Sequence, residues 1–132
     1  MTSILVIDDD VDMAEATATV LRLDGGTVRV ARNGREGLER LAEELPDVIV
    51  CDVEMPLLDG PGLALQMLLR DAGAERIPFV LVSAAPDLRA IAAMVGTPYF
   101  LSKPFTADQL MALTARASVE RRAPQPPPTG AA

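Results

Sequence analysis

Close to its amino terminus the chain reads Ile4-Leu5-Val6-Ile7-Asp8-Asp9-Asp10, a continuous apolar run that ends abruptly in acids. An apolar run of this kind, without polar alternation, is typical of a parallel strand that is covered on both faces. Polar groups at the end of such a strand lie where parallel α/β sheets form their functional crevice. This stretch therefore predicts the class of fold and the edge of the sheet that carries function.

Four further apolar runs follow along the chain, at residues 27–31, 48–51, 79–82 and 99–101. Segments with helical spacing of apolar residues alternate with them, at about 12–23, 34–45, 61–71, 87–95 and 106–119. The last segment begins with the capping-box sequence Thr106-Ala107-Asp108-Gln109. The pattern is (βα)5, which predicts an α/β fold, a doubly wound five-stranded parallel sheet with helices on both faces.

The length of 132 residues suits one domain and a short tail. We predict a domain over residues 1–121 and a Pro-rich disordered tail over residues 122–132. No apolar run approaches the roughly 20 residues that a membrane helix needs. The chain starts without a signal-type region, and its one cysteine, Cys51, excludes an internal disulfide. We therefore expect a cytoplasmic protein with no membrane partner.

The net charge and the missing residue types exclude several classes of function. The net charge of −7 argues against direct binding of nucleic acid. The chain has no histidine, which excludes an internal imidazole base, a phosphohistidine or a histidine metal ligand. Lys103 is the only lysine beside eleven arginines. Because an ammonium and a guanidinium are not interchangeable, we treat Lys103 as a candidate functional residue.

Polar side chains follow four of the predicted strands. The first strand ends in Asp8 and Asp9, the third in Asp52, the fourth in Ser83 and the fifth in Lys103. Carboxylates that share one edge repel each other unless a cation neutralises them, and oxygen ligands suit Mg²⁺. A metal together with Lys103 would create a positive locus beside Asp52, which could then act as a nucleophile toward phosphorus.

Each of these residues also has an ordinary interpretation when it is taken alone. The acids at 8–10 could form a solvated turn, and Asp10 or Asp12 could simply cap the first helix. Ser83 could be a hydroxyl satisfied within the fold, and Lys103 a surface residue. Their joint occurrence at four strand ends favours a functional site.

Four stretches carry a resemblance to a known family. They are residues 4–10, Asp52-Val53-Glu54-Met55-Pro56-Leu57-Leu58-Asp59-Gly60, Leu81-Val82-Ser83-Ala84 and Lys103-Pro104-Phe105. Over residues 3 to about 119 the chain resembles the receiver domains of bacterial two-component response regulators, in particular the single-domain, chemotaxis-receiver-like ones. The resemblance implies a flavodoxin-like sheet with strand order 2-1-3-4-5.

The resemblance also implies roles for individual residues. Asp52 would be the phosphoacceptor, and Mg²⁺ would be held by Asp8, Asp9, Asp52 and the backbone carbonyl of Glu54. Ser83 and Lys103 would bind the phosphoryl group. Phe100 would be the switch aromatic, and Pro104 would follow a cis peptide bond of structural importance.

Partners follow from the same resemblance. The phosphodonor would be a sensor histidine kinase or a histidine phosphotransfer protein, and output would pass through the surface of helix 87–95, strand 99–101 and the last helix. The charge pattern that some relatives use to dimerise through this surface is not evident, which favours a monomer or weak dimer. The interval from Ser83 to Lys103 is two residues shorter than in many relatives, and Phe100 lacks the hydroxyl of a tyrosine.

Other functions remain open on the sequence. A pseudo-receiver that binds partners without phosphorylation would keep the same fold. A phosphatase of the haloacid dehalogenase type would explain Asp8-Asp9-Asp10-Val11, but it would need an acidic pair after Lys103. The chain could be a stand-alone receiver or a piece of a longer regulator.

Overall fold

The computed structural model describes residues 2–53 and 76–125. Five strands and four helices lie in these ranges: β1 (Ser3–Ile7), α1 (Val11–Leu23), β2 (Thr27–Ala31), α2 (Gly34–Glu43), β3 (Val48–Asp52), β4 (Phe79–Ser83), α3 (Leu88–Val95), β5 (Tyr99–Ser102) and α4 (Ala107–Glu120). The helix predicted over 61–71 lies outside the described residues, as do Glu54 and the chain beyond residue 125.

The strands form one parallel sheet in the order β2-β1-β3-β4-β5. This confirms the predicted doubly wound, flavodoxin-like α/β fold. Strand order reverses between β1 and β3, which are hydrogen-bonded neighbours. The crevice beyond their carboxyl ends is therefore the place where this architecture builds its sites.

Alternate residues of the strands belong to two separate hydrophobic cores, because successive side chains of a strand point to opposite faces of the sheet. One core packs α1 and α4 against the sheet through Ala18, Leu21, Leu110 and Ala117. The other packs α2 and α3 through Leu41, Leu88, Ala92 and Val95. The sheet is covered on both faces, as the continuous apolar strands predicted. None of the helices in the described ranges has the length and apolar character that crossing a bilayer requires.

Three helices begin at side chains that the sequence marks as caps. The Asp10 side chain accepts a hydrogen bond from the Met13 N–H, and Asn33 caps α2 through the Glu36 N–H. Thr106 and Gln109 form the predicted capping box of α4. These oxygens take up backbone donors that a helix start leaves without partners.

The chain beyond α4 stays close to the domain for several residues. Pro124 is buried, and the Gln125 N–H donates a 3.0 Å hydrogen bond to the Gly96 carbonyl. The segment assigned from sequence to a disordered tail therefore starts with residues that contact the turn after α3. The boundary predicted at residue 121 stays a prediction for the chain past residue 125.

Two buried threonines differ in their hydrogen bonding. The Thr97 hydroxyl donates to the Phe79 carbonyl at 2.6 Å and accepts from the Tyr99 N–H at 3.2 Å. The Thr114 hydroxyl, on α4, has no hydrogen-bond partner among the described residues. The two side chains are equally buried, at 5% and 4% exposure, so they form a matched pair for mutation.

We predict opposite outcomes for the same substitution at these two positions. Thr97→Val should lower the free energy of unfolding by about 1–3 kcal/mol, since it leaves buried backbone groups without partners. Thr114→Val should be neutral or stabilising, because it removes a buried hydroxyl that makes no hydrogen bond. Urea unfolding followed by circular dichroism measures both. Equal losses at the two positions would contradict this account of Thr97.

Candidate functional site

Three acids meet at the carboxyl edge of the sheet. Asp8 follows β1 directly, Asp52 is the last residue of the neighbouring β3, and Asp9 begins the turn into α1. One carboxylate oxygen of each acid lies within 4.8 Å of the corresponding oxygens of the other two. Asp8 is 3% and Asp52 5% exposed, whereas Asp9 is exposed to solvent. The structure thus brings together the three acids that the sequence singled out.

One cation faces the two buried acids. The Lys103 Nζ lies 3.5 Å from Asp8 Oδ2 and 3.7 Å from Asp52 Oδ1. The backbone holds this lysine in place, because its N–H donates a 2.8 Å hydrogen bond to the Ser83 carbonyl at the end of β4. Among the described residues, one ammonium beside three carboxylates gives the site an excess of negative charge.

Burial shapes the electrostatics of Asp8. Desolvation raises the pKa of this carboxyl, and the charge of Asp9 adds to the rise. The Asp10 N–H, which donates to Asp8 Oδ1 at 2.9 Å, and the Lys103 ammonium lower the pKa and so offset part of that rise. A raised pKa means that the folded protein binds this proton more tightly than the unfolded chain does. Without a metal, the Asp8 contribution to stability therefore declines as pH rises through its folded pKa.

Ser83 lies beside the acids on the next strand. It ends β4, where Val82 pairs with Asp52, and its side chain is fully buried. Its Oγ accepts a 2.9 Å hydrogen bond from the Ala85 N–H. The polar groups predicted from four strand ends are therefore found at one edge of the sheet. Glu54, whose carbonyl completes the ligand set implied by the resemblance, lies outside the described residues.

Phe100 lies on β5, and Pro104 follows Lys103 directly. Phe100 is half-buried and packs against the core beneath α3, where the Arg89 guanidinium carbon lies 5.8 Å from its ring centroid. Arg89 was not singled out from the sequence, because nothing in its local pattern reveals a contact made only when α3 packs on β5. The Lys103–Pro104 peptide bond is cis, as the resemblance implied.

Comparison with curated proteins gives relatives over nearly the whole chain. Response regulator MprA of Mycolicibacterium vanbaalenii is 36% identical over 123 residues, which is 92% of this chain and 52% of MprA. The chain thus spans about half the length of this relative.

Solved structures share the fold. The receiver domain of a signal transduction histidine kinase from Syntrophus aciditrophicus superposes with a TM-score of 0.83 at 26% identity, covering 98% of this chain and 99% of that one. A response regulator receiver domain protein from Clostridium thermocellum gives a TM-score of 0.81 at 26% identity, covering 92% and 97%. Both superpositions include most of the described sheet.

The family description agrees with these matches. The family model described as the response regulator receiver domain matches residues 4–115. This range covers all five strands except the first residue of β1, and it also covers most of α4. The acids, the serine and the lysine at the strand ends all fall within the matched range. The chain therefore belongs to the family of response regulator receiver domains.

Proposed function

We propose that this chain accepts a phosphoryl group from the phosphohistidine of a partner protein onto Asp52, in a reaction that Mg²⁺ assists. The observation that carries the proposal is the position of Asp52, a buried carboxylate at a strand end with Lys103 Nζ 3.7 Å away and two more carboxylates within 4.8 Å. Family membership supports it, since the partner of such a domain is a histidine kinase.

The donor set at this edge fits Mg²⁺. Mg²⁺ prefers oxygen ligands at about 2.0–2.1 Å in an octahedron, so adjacent ligands of one ion stand roughly 2.9 Å apart and opposite ligands roughly 4.2 Å apart. One carboxylate oxygen each from Asp8, Asp9 and Asp52 lie within 4.8 Å of one another, and side-chain movements would bring them to these spacings around one ion. We assign these three carboxylates and the Glu54 carbonyl as protein ligands. When bound, the ion would supply positive charge next to the phosphoryl oxygens.

The transfer needs little covalent chemistry from the protein. A carboxylate oxygen of Asp52 bonds to phosphorus, the bond between phosphorus and the partner's imidazole nitrogen breaks, and the electron pair leaves with that nitrogen. The product is an acyl phosphate. The donor histidine lies outside this chain, which contains no histidine. Lys103, already beside Asp52, binds an oxygen of the transferred group, and the catalytic effect is positioning and charge stabilisation.

Signalling then proceeds through the β4 and β5 ends. The phosphoryl group draws the Ser83 hydroxyl toward it and away from the Ala85 N–H, which vacates space for Phe100 to turn inward. That movement separates Phe100 from Arg89 and reshapes the surface of α3, β5 and α4, where Met94 is 67% exposed. A partner protein that binds this surface would distinguish its two conformations. We propose that the domain acts as a cytoplasmic monomer or weak dimer and assists both its phosphorylation and dephosphorylation.

The described site does not favour the alternative of a receiver that never phosphorylates. A pure interaction module has no need of a buried acid, a lysine and two further carboxylates at one strand edge. Burial of Asp8 carries an electrostatic cost, visible in its raised pKa, that a purely structural role leaves unexplained. The phosphatase alternative is not supported by the family match.

The first prediction concerns the phosphoacceptor. Incubation with acetyl phosphate and Mg²⁺ should add one phosphoryl mass to the wild type, and Asp52→Ala should gain none, because the variant lacks the carboxylate oxygen that attacks phosphorus. Intact-mass spectrometry measures the gain, and EDTA should abolish it. Asp47→Ala, an acid at the opposite edge that accepts the Ser3 N–H, serves as the matched control and should label normally. Labelling of Asp52→Ala at the wild-type level would refute the assignment.

The second prediction concerns the metal. Asp9→Asn should weaken Mg²⁺ binding by about tenfold or more, a change of at least 1.4 kcal/mol, because it removes a ligand charge. Asp10→Asn removes the same charge one residue away, but Asp10 is a helix cap and asparagine caps equally well. This control should bind Mg²⁺ nearly as the wild type does. The Mg²⁺-dependent rise in melting temperature measures the affinity. Equal weakening by both variants would contradict a ligand role for Asp9.

The third prediction concerns the coupling through Ser83. Ser83→Ala should still gain phosphoryl mass but should lose most of the amide shifts that beryllofluoride, a phosphoryl mimic, induces in residues 86–105. The mimic must favour the active form by about 1–3 kcal/mol for the shift to be visible. Ser102→Ala is the matched control, since Ser102 pairs with Ser83 across β4 and β5 but is exposed. If the mimic shifts these amides equally in Ser83→Ala and wild type, the coupling is wrong.

A further inference from the structure

A cavity of about 680 Å³ lies at the amino ends of β4 and β5, at the edge opposite Asp52. Three arginines line it, namely Arg76, Arg121 and Arg122, together with Gly96, Pro98 and Gln125. No acidic side chain is among its described lining residues. Arg76 precedes Ser83 by seven residues, which in extended chain is roughly 20 Å. The cavity is therefore separate from the phosphorylation site.

The wall of this cavity is built by residues 121–125. Arg121 adopts a left-handed conformation, with φ of 55°, and turns the chain back at the end of α4. Pro124 is buried, and the Gln125 N–H reaches the Gly96 carbonyl at 3.0 Å. The segment thus bridges from α4 to the turn after α3. A wall fixed in this way lowers the conformational cost of ligand binding.

Glu120, the last residue of α4, is held by contacts on the other side of the helix end. Glu120 accepts a 2.9 Å hydrogen bond from the buried Tyr99 hydroxyl and lies 3.2 Å from the guanidinium of Arg116. The Arg116 guanidinium in turn lies 5.4 Å from the Tyr99 ring centroid. Arg121 lies 4.0 Å from Asp47, the outer limit of an ion pair, in an exposed arrangement that contributes little. The charge of Glu120 also acts on Arg122, but among the described residues the weak contact of Arg121 with Asp47 is the one ion pair of the three arginines that line the cavity.

We propose that this cavity binds a phosphate-bearing small molecule of nucleotide size. A guanidinium presents a planar fork of donors that matches phosphate oxygens, and here such groups come from two segments far apart in sequence. The volume falls within the range of about 300–1,000 Å³ typical of small-molecule pockets. A net charge of −7 opposes the approach of a long polyanion such as nucleic acid, while a small anion can reach a local cluster of positive charge.

The test is an NMR titration of the full chain in EDTA, which removes Mg²⁺ from the Asp52 site. ATP and inorganic pyrophosphate should each shift the amides of Gly96, Arg121 and Gln125 in a saturable way, while adenosine should not. Arg76→Ala and Arg122→Ala should each weaken ATP binding by about tenfold, as expected for loss of a charged hydrogen bond.

Arg32→Ala and Arg35→Ala remove the same charge near the end of β2 and the start of α2, and they should leave ATP binding unchanged. Melting curves verify that each variant is folded. The proposal is overturned if no saturable shift occurs at millimolar ATP, if the control variants weaken binding equally, or if the shifts fall on Ala85 and Lys103 instead. Binding of an oligoglutamate peptide without binding of ATP or pyrophosphate would also overturn it, since the site would then recognise an acidic peptide.

Discussion

The Lys103 ammonium between Asp8 and Asp52 is the contact on which the site depends. Without it, two buried carboxylates would face each other with the third acid, Asp9, close by. Burial makes each charge costly, and the raised pKa of Asp8 shows that the lysine offsets only part of this cost. The excess of negative charge is the physical reason to expect a divalent cation there. The only lysine of the chain stands at this position, where its compact ammonium lies near both acids.

The fold supplies this arrangement through strand order. β1 and β3 are neighbours, so the acids at their ends meet directly, and the β4–β5 pair carries Ser83 and Lys103 to the same edge. The hydrogen bond from the Lys103 N–H to the Ser83 carbonyl ties the lysine backbone to the serine backbone. In the proposed switch, this bond is the route by which a movement of Ser83 would reach β5, on which Phe100 lies. The proposed coupling between phosphoryl binding and the α3 surface would thus pass through the sheet itself.

Much of the fold could be predicted from the sequence because its signals are local. Continuous apolar runs specified the strands, and Asp10, Asn33 and Thr106 specified helix starts through their own side-chain oxygens. Polar residues directly after four of the predicted strands indicated which side chains would meet at one edge of the sheet. Contacts set by tertiary packing left no such signal. The approach of Arg89 to Phe100 and the docking of Gln125 on Gly96 join residues whose pairing depends on how α3 and α4 pack on the sheet. A proline-rich composition predicts disorder, and it carries no information on where the chain leaves the domain.

The central claim is that Asp52 itself forms the acyl phosphate. Borohydride reduces an acyl phosphate to an alcohol, so treatment of the phosphorylated protein converts the modified aspartate to homoserine. Peptide mapping by tandem mass spectrometry should find homoserine at position 52, only after incubation with both acetyl phosphate and Mg²⁺, and aspartate at positions 8 and 9. Homoserine at position 8 or 9, or at position 52 regardless of Mg²⁺, would contradict the account.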